Sequence, residues 1–429
     1  MFELKQNNRR LAADSKGYAM NTLYNTQMFT VSSADDDPLE ALVRRGAKVM
    51  LQAALEQEVS EYLERARHQR SEGEAELRGY RNGYSKERKI TIGSGTIKVK
   101  APRVSDVPEH QQHFESQIIK PYQRRSLSLQ RVFPKLFIEG LATRDFEPAL
   151  RCLMGEEAAL SPSTISRLNA GFKSEYEEWT KSSLASLPIV YVWVDGIYIK
   201  AGIADERACL LVVMGADVSG TKHLLAMEEG YRESKQSWLE VLRRLKARGM
   251  NEPALAIGDG GLGFWAAAGE VWHQTKQQRC WVHKMRNVLD KLPHKERGEA
   301  AKSLRAIYLA RTSEEAKSIA LSLAKSWRRL YDKAAECLMD DLDRMFAYYD
   351  YPAEHHKHLR TTNPIESIFA SVRLRTGAMK RLKSSRSAVY LIYQIIKRAE
   401  KSLQRLSHAE KLRYVSLPNT LSNQTVLAA

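Results

Sequence analysis

The spacing of apolar residues changes from helical to alternating and back along this chain, and each change predicts a different element. Over residues 39–67, Leu42, Val49, Leu51, Ala54, Val59 and Leu63 recur at roughly helical spacing among charges, which predicts one long amphipathic helix. Its stripe can pack within the molecule or against a second copy. Alternation takes over at 89–92 and 97–100, on either side of Gly93, Ser94 and Gly95, and predicts a small hairpin with a mostly basic outer face. That face, with Tyr80 and Tyr84 nearby, suits a DNA backbone and equally suits water. Helical spacing returns over 122–138, with Gly140 placed to close the helix. Thr143 can cap a second helix running to about Met154, and Ser161 with Pro162 opens a third, short one. Two helices, a connection and a third helix beginning with Ser163, Thr164, Ser166 and Arg167 match a helix-turn-helix, whose second element puts its N-terminal residues into the major groove. A compact helical trio carries similar caps, and the connection at 155–160 is longer than the usual turn.

After Pro188 the pattern is that of strands. Residues 189–200, IVYVWVDGIYIK, are apolar on both faces, as in a buried central strand, with Asp195 the exception. Asp195-Gly196 between two apolar runs is also the pattern of a type I′ hairpin turn, and the stretch alone leaves both open. Short apolar runs at 208–213 and 223–226 predict two further strands, followed by a helix over 234–246 with Trp238, Leu239, Val241, Leu242 and Leu245 inward. A buried strand at 254–257 ends in Gly258, Asp259, Gly260 and Gly261; a helix at about 264–272 and a strand near 279–282 follow. The order β-β-β-α-β-α-β is that of a ribonuclease H-like core. Asp259 then falls at the carboxyl end of a strand, where open α/β sheets place their ligands, although Asp-Gly-Gly is also ordinary turn chemistry.

Residues 283–360 are helical throughout. Thr312 and Glu315 form a capping box, and Ala316, Ile319, Ala320, Leu323, Trp327 and Leu330 a single stripe. Glu366 follows in TTNPIESIF, where Asn363 as cap, Pro364 and Glu366 satisfy a helix start without any chemistry. A Glu in the first turn can also point past the helix end toward a strand edge. Arg373, Arg375, Lys380, Arg381, Lys383 and Arg386 form a basic run, either a solvated face or a phosphate contact. A last amphipathic helix covers 387–406, and the last twenty or so residues are expected to be disordered.

Composition narrows the partners. The 429 residues are too many for one ordinary core, and 67 Lys and Arg against 51 Asp and Glu give a formal charge of +16. That charge favours a polyanion, nucleic acid first and an anionic membrane surface second. No run approaches the ~18 to 20 apolar residues of a membrane span, and the N-terminus lacks a secretory apolar core. Cys152, Cys209, Cys280 and Cys337 have no paired spacing, which disfavours disulfides and fits a reducing interior. His355, His356 and His358 beside Glu354 are read as an exposed polar turn and not as a metal site.

The motifs VDGIYIK, IGDGGLGFW, QQRCWVHKMRNVLDKLP and TTNPIESIFASVRLRT, in this order, resemble the Mutator-type bacterial insertion-sequence transposases, which carry a DDE triad. RNGY, VKAPRV, YQRRS, GLATRDF and SPSTISR resemble that family's DNA-binding region, so the likeness spans roughly residues 40–406. It departs at Ala142, where the family often has Ser, and residues 1–37 match nothing in it. The resemblance implies a ribonuclease H-like catalytic core with an all-helical insertion, preceded by an α+β DNA-binding region with a helix-turn-helix. It implies Asp195, Asp259 and Glu366 as ligands of two Mg²⁺ or Mn²⁺ ions, and terminal inverted repeats and target DNA as partners. Cys280 and His283 match the family's Cys-x-x-His signature; two ligands do not make a structural zinc site, and His283 is expected at the catalytic edge, against DNA, or placing the insertion.

The expected organisation is a flexible leader at 1–37, an N-terminal helix region at 38–75, a DNA-binding region at 76–185, the core at 186–282 and 361–406, the insertion at 283–360 and a tail at 407–429. The protein is expected in the prokaryotic cytoplasm at the nucleoid, as a homodimer or higher homo-oligomer, because joining two ends needs two copies and C2 symmetry is common. Two rival functions stay open: a non-catalytic helix-turn-helix regulator, and a ribonuclease H-like nuclease that cuts without joining.

Overall fold

The computed structural model describes residues 38–65, 78–140, 146–154, 162–200, 207–230, 232–261, 263–378 and 385–418. The chain divides into two compact units, one holding the described residues up to Phe137 with 146 to Pro162, the other 138–140 and the residues from Ser163 onward. The expected leader at 1–37, the Thr143 cap, the connection at 155–160, Lys380, Arg381 and Lys383, and the last part of the tail lie outside the described residues.

In the first unit, α1 (Pro38–Leu63) buries Leu55, Val59 and Leu63. The hairpin is present: β2 (Arg88–Ile92) pairs antiparallel with β3 (Gly95–Val99) across the glycine turn. A second antiparallel pair, β1 (Tyr80–Tyr84) with β4 (Pro102–Ser105), flanks it. Leu55, Ile90, Ile97, Val99 and Ile119 form the small core, and Glu56 of α1 holds Arg81 of β1 at 2.7 Å. α2 (Leu127–Ile138) starts later than the spacing suggested, since Tyr122 is 96% exposed with a φ of 62°. α3 (Phe146–Met154) follows.

The second unit opens with α4 (Pro162–Lys181), a helix of 20 residues where a short one was expected. Phe172 is buried, and the Tyr176 hydroxyl donates to the Met227 carbonyl at 2.8 Å, so its later turns pack on the sheet. That sheet contains β5 (Ile189–Lys200), β6 (Arg207–Asp217), β7 (Lys222–Gly230), β8 (Leu255–Gly258) and β9 (Lys276–Arg279), in the order β7-β6-β5-β8-β9. β6 runs antiparallel to both β5 and β7, while β8 and β9 run parallel to β5. Asp195 pairs with Val212 in the middle of an unbroken strand, so Asp195-Gly196 is not a turn.

One face of the sheet, through Val192, Val194 and Leu211, packs on Trp238 and Leu242 of α5 (Lys235–Ala247) and Phe264 of α6 (Phe264–Val271). On the strand β5 itself Tyr191 and Trp193 alternate with those residues and engage the chain at 355–358: the Trp193 indole donates to the His358 carbonyl at 3.0 Å. This alternation is the period of two that a strand imposes.

The expected strand near 279–282 lies earlier, at Lys276–Arg279, and Trp281 already begins α7 (Trp281–Leu289). Its sequence, KQQR, hides it: Gln278 is fully buried, with its amide donating to the Arg279 and Met345 carbonyls and its oxygen accepting from Tyr348 N–H. Helices α8 (Arg297–Leu309), α9 (Ser313–Trp327) and α10 (Asp332–Met339) and a series of 3-10 turns make up the insertion. The Thr312 cap is present, with its hydroxyl oxygen accepting from Glu315 N–H at 3.2 Å. The stripe is shorter than expected, because α9 ends at Trp327 and leaves Leu330 exposed, while Ala324 is buried.

α11 (Asn363–Ala378) and α12 (Ser385–Glu400) close the unit. The first part of the expected tail is packed: Leu412 is buried, and the His408 carbonyl accepts from His355 Nε2 at 3.0 Å. His355, expected in an exposed turn, is fully buried, with Nδ1 accepting from the Tyr191 hydroxyl at 3.1 Å. Both its ring nitrogens are thus used in joining β5 to the C-terminal segment. No described helix is long and apolar enough to cross a membrane.

Candidate active site

Three carboxylates far apart in sequence come together beside the carboxyl end of β8. Asp195 rides on β5, and Asp259 follows Gly258, the last residue of the parallel neighbour β8. The backbone clasps both: Gly196 N–H donates to Asp195 Oδ1 at 2.8 Å, and Gly260 N–H to Asp259 Oδ1 at 2.6 Å. The Trp265 indole of α6 donates to the Asp259 carbonyl at 2.7 Å, which fixes the turn.

Glu366 enters from the first turn of α11, and the local hydrogen bonds explain why it does not cap that helix. The cap is Thr362, whose carbonyl accepts from both Ile365 N–H and Glu366 N–H, and Asn363 is an exposed first helical residue. A capping Glu would accept from the cap residue's N–H. Thr362 N–H instead donates to Cys280 Sγ at 3.3 Å. The Glu366 carboxylate is left to accept from the Thr362 hydroxyl at 3.1 Å and to face His283 Nε2 at 3.7 Å.

His283, on α7, is therefore at the carboxylate cluster. Cys280, fully buried at the start of the same helix, brings its Sγ, a His283 nitrogen and a Glu366 oxygen within 4.8 Å of one another. The thiol already accepts from Thr362, so it serves as a tie between α7 and α11.

The sequence reading missed Glu233, in the connection from β7 to α5. Its side chain lies against Gly196, and its carbonyl accepts from Gly263 N–H at 3.0 Å. No local motif announces a carboxylate in a Tyr-Arg-Glu-Ser loop; the sign available was Gly196, a glycine in the interior of a buried strand, which marks a close approach.

Crowding of like charge governs the electrostatics. Burial pushes Asp195 up to about 6, with Glu366 and Asp259 adding to the rise and His283 and the Gly196 N–H opposing it. Glu233 is likewise pushed up to about 6, by burial first and then by Asp195 and Asp259. For His283, burial favours the neutral ring, but the neighbouring Cys280, Asp259 and Asp195 outweigh it and raise the group to about 9. The surroundings thus favour the protonated ring, and its Nδ1 is buried with no hydrogen-bond partner among the described residues.

Arg279, at the end of β9, is packed so closely on Gly260 that a Cβ there would fall 2.0 Å from its Nε. Its guanidinium reaches Asp341 at 3.3 Å and Asp340 at 3.5 Å, so the insertion braces the turn that carries Asp259.

Of the residues expected to meet DNA, Arg167 on α4 and Arg373 on α11 are exposed. Arg375 is paired with Glu139 at 3.1 Å, and Arg398 holds the same carboxylate. Ser163, Thr164 and Ser166 belong to the first turns of α4, and their side chains lie outside the described set.

Comparison with known proteins gives a consistent result. A family model described as transposase, Mutator family, matches residues 19–405, beginning inside the stretch expected to match nothing. The chain is 44% identical over 268 residues to the transposase for insertion sequence element IS6120 of Mycolicibacterium smegmatis, covering 62% of this chain and 83% of that one. It is 30% identical over 353 residues to the transposase for insertion sequence element ISRM5 of Rhizobium meliloti, covering 82% and 85%. Among solved structures, the simian T-cell lymphotropic virus intasome in complex with a PP2A regulatory subunit overlaps 53% of this chain and 71% of that one at 13% identity and a TM-score of 0.18, too low to bear on the fold.

Proposed function

The chain belongs to the Mutator family of transposases, and on that premise we propose that it binds the terminal inverted repeats of its own insertion sequence, cuts DNA there and joins the freed end to target DNA. The observation that carries this is the meeting of Asp195, Asp259 and Glu366, from three separate segments, around His283. The sheet order supports a ribonuclease H-like core: third, second, first, fourth, fifth, with only the second strand antiparallel to the rest.

The residues present fit divalent cations. The donors are carboxylate oxygens, the hard ligands that Mg²⁺ and Mn²⁺ prefer, and their charge exceeds what the His283 imidazolium neutralises. Asp195, Asp259 and Glu366 would hold two such ions, which when bound would activate an attacking oxygen and relieve charge on the leaving one.

The chain's own groups do the rest. Asp195 sits on the central strand of the sheet, where it pairs with Val212 of β6. Asp259 is held by Trp265 and by the Arg279 brace, and Glu366 by Thr362. His283, whose Nε2 faces Glu366 at 3.7 Å, orients that carboxylate at the cluster. Ser163, Thr164, Ser166 and Arg167 at the start of α4 are proposed to meet the repeat, with Arg373 and the basic segment after α11, including Lys380 and Arg381, along the phosphate backbone. Arg375 would serve by holding Glu139. Joining two ends calls for at least two copies.

The test is a duplex carrying the element's end, incubated with wild type or Asp195→Asn with and without Mg²⁺. Metal-dependent cutting and joined products from wild type, with the variant bound but inert, are expected. Binding without reaction in any metal would favour a regulator, and cutting without joined products a nuclease.

A further inference from the structure

Gly196 is glycine because its side-chain space is taken. A Cβ built there would fall 2.2 Å from Glu233 Oε1 and 2.9 Å from the Glu233 Cγ and Cδ. The strand leaves a gap, and a carboxylate from the β7–α5 connection occupies it one residue from Asp195.

The same connection is clamped from the other side. A Cβ on Gly263 would fall 2.2 Å from Lys235 N, 2.6 Å from the Ser234 carbonyl carbon and 2.9 Å from the Glu233 oxygen. Those are backbone atoms, which cannot swing aside. Gly263 N–H also donates to the Glu233 carbonyl, and Ser234 caps α5 through Ser237 N–H, so backbone on both sides of Glu233 is fixed. Two glycines from the two aspartate motifs thus admit one loop, and Glu233 feels the charges of both Asp195 and Asp259. A half-buried carboxylate driven toward two others, with no Lys or Arg ion pair of its own among the described residues, is an arrangement that a cation resolves.

Resting on the cation-dependent reading above, we propose that Glu233 is a fourth cation-binding carboxylate of the site, and that Gly196 and Gly263 exist to admit it. Glu233 adds negative charge next to Asp195 and Asp259. Removing it lowers cation affinity more than it lowers the stability of the fold.

The experiment uses the full chain and Mn²⁺ alone, without DNA, reading Mn²⁺ affinity by calorimetry and the unfolding temperature without metal. Glu233→Gln is expected to weaken Mn²⁺ about tenfold or more, the range typical of residues that support metal ligands, with the metal-free unfolding temperature unchanged. Gly196→Ala provides the second variant: the three atoms nearest its methyl all belong to the Glu233 side chain and none to backbone, so the fold persists and the carboxylate moves. It is expected to weaken Mn²⁺ similarly, and to add nothing in the Glu233→Gln background. If Glu233→Gln binds Mn²⁺ as wild type does while Asp195→Asn binds it poorly, the assignment of Glu233 is overturned and the function stands. If Asp195→Asn also binds as wild type, the cation reading itself falls, and the assignment with it.

Discussion

Thr362 shows how much of the site depends on one buried side chain. Its hydroxyl lies 3.3 Å from Cys280 Sγ and 3.1 Å from Glu366 Oε1, and it carries one proton to share between them. Thr362→Val keeps the shape and removes that proton. We expect unfolding free energy to fall by only about 1 to 3 kcal/mol, the cost of an unsatisfied buried group, while the cutting rate falls at least tenfold because Glu366 is freed to rotate. Cleavage rates beside urea unfolding measure both. His358 gives a pH dependence. Burial, then Lys222 and Lys357, lower it from its ordinary 6.5 to about 4, so the fold holds the neutral ring, with Nε2 at 3.1 Å from the Ser407 hydroxyl. A group depressed in the folded state stabilises above its unfolded value and loses that contribution as pH falls through the folded one. Unfolding midpoints should therefore drop between pH 6.5 and 4 in wild type, and drop less in His358→Asn. At this scale Asp195, Asp259 and Glu366 were legible, each being a charge where an apolar run or a helix start made it conspicuous. Glu233 was not, because an acid in a polar loop has no contrast with its neighbours. His355 was misjudged for the same reason: a histidine among charged residues looks solvated until Tyr191 is seen across from it.

Elements whose burial matches their composition were found near their observed places. β5 is apolar on both faces because it is central, and α5 buries the Trp238 and Leu242 stripe its spacing announced. The exception is β9, where a buried strand is spelled Lys-Gln-Gln-Arg. Its apolar content is nil; what keeps it inside is hydrogen bonding, which residue type alone does not reveal. Gln278→Ala would leave Tyr348 N–H without its partner and open a cavity. We expect a loss of at least about 2 kcal/mol in urea unfolding, against a few tenths for the exposed neighbour Lys276. Of the third helix expected after Ser161, only the start at Pro162 was legible, whereas its 20-residue length goes with a buried Phe172 and with Tyr176 bonding to the sheet, contacts that no local spacing encodes. The Asp-Gly turn signal failed in an instructive way, since the glycine answers to a distant carboxylate and not to a positive φ.

For the whole molecule, charge and cluster point the same way: a chain of net +16 concentrates carboxylates at one place beside its central strand. Binding to the element's end should weaken steeply with salt, with log K falling linearly in log salt at a slope of about −0.9 for each phosphate neutralised. Replacing Arg373 with Gln should make that slope shallower by about one while leaving the metal requirement for cutting unchanged. The most direct test of the central claim exchanges the ligand atom itself. A thiolate binds Mg²⁺ poorly and softer ions better, so Asp259→Cys should not cut the element's end in Mg²⁺ and should regain cutting in Mn²⁺. Cutting by Asp259→Cys in Mg²⁺ at the wild-type rate would contradict the account, because Asp259 would then hold no ion.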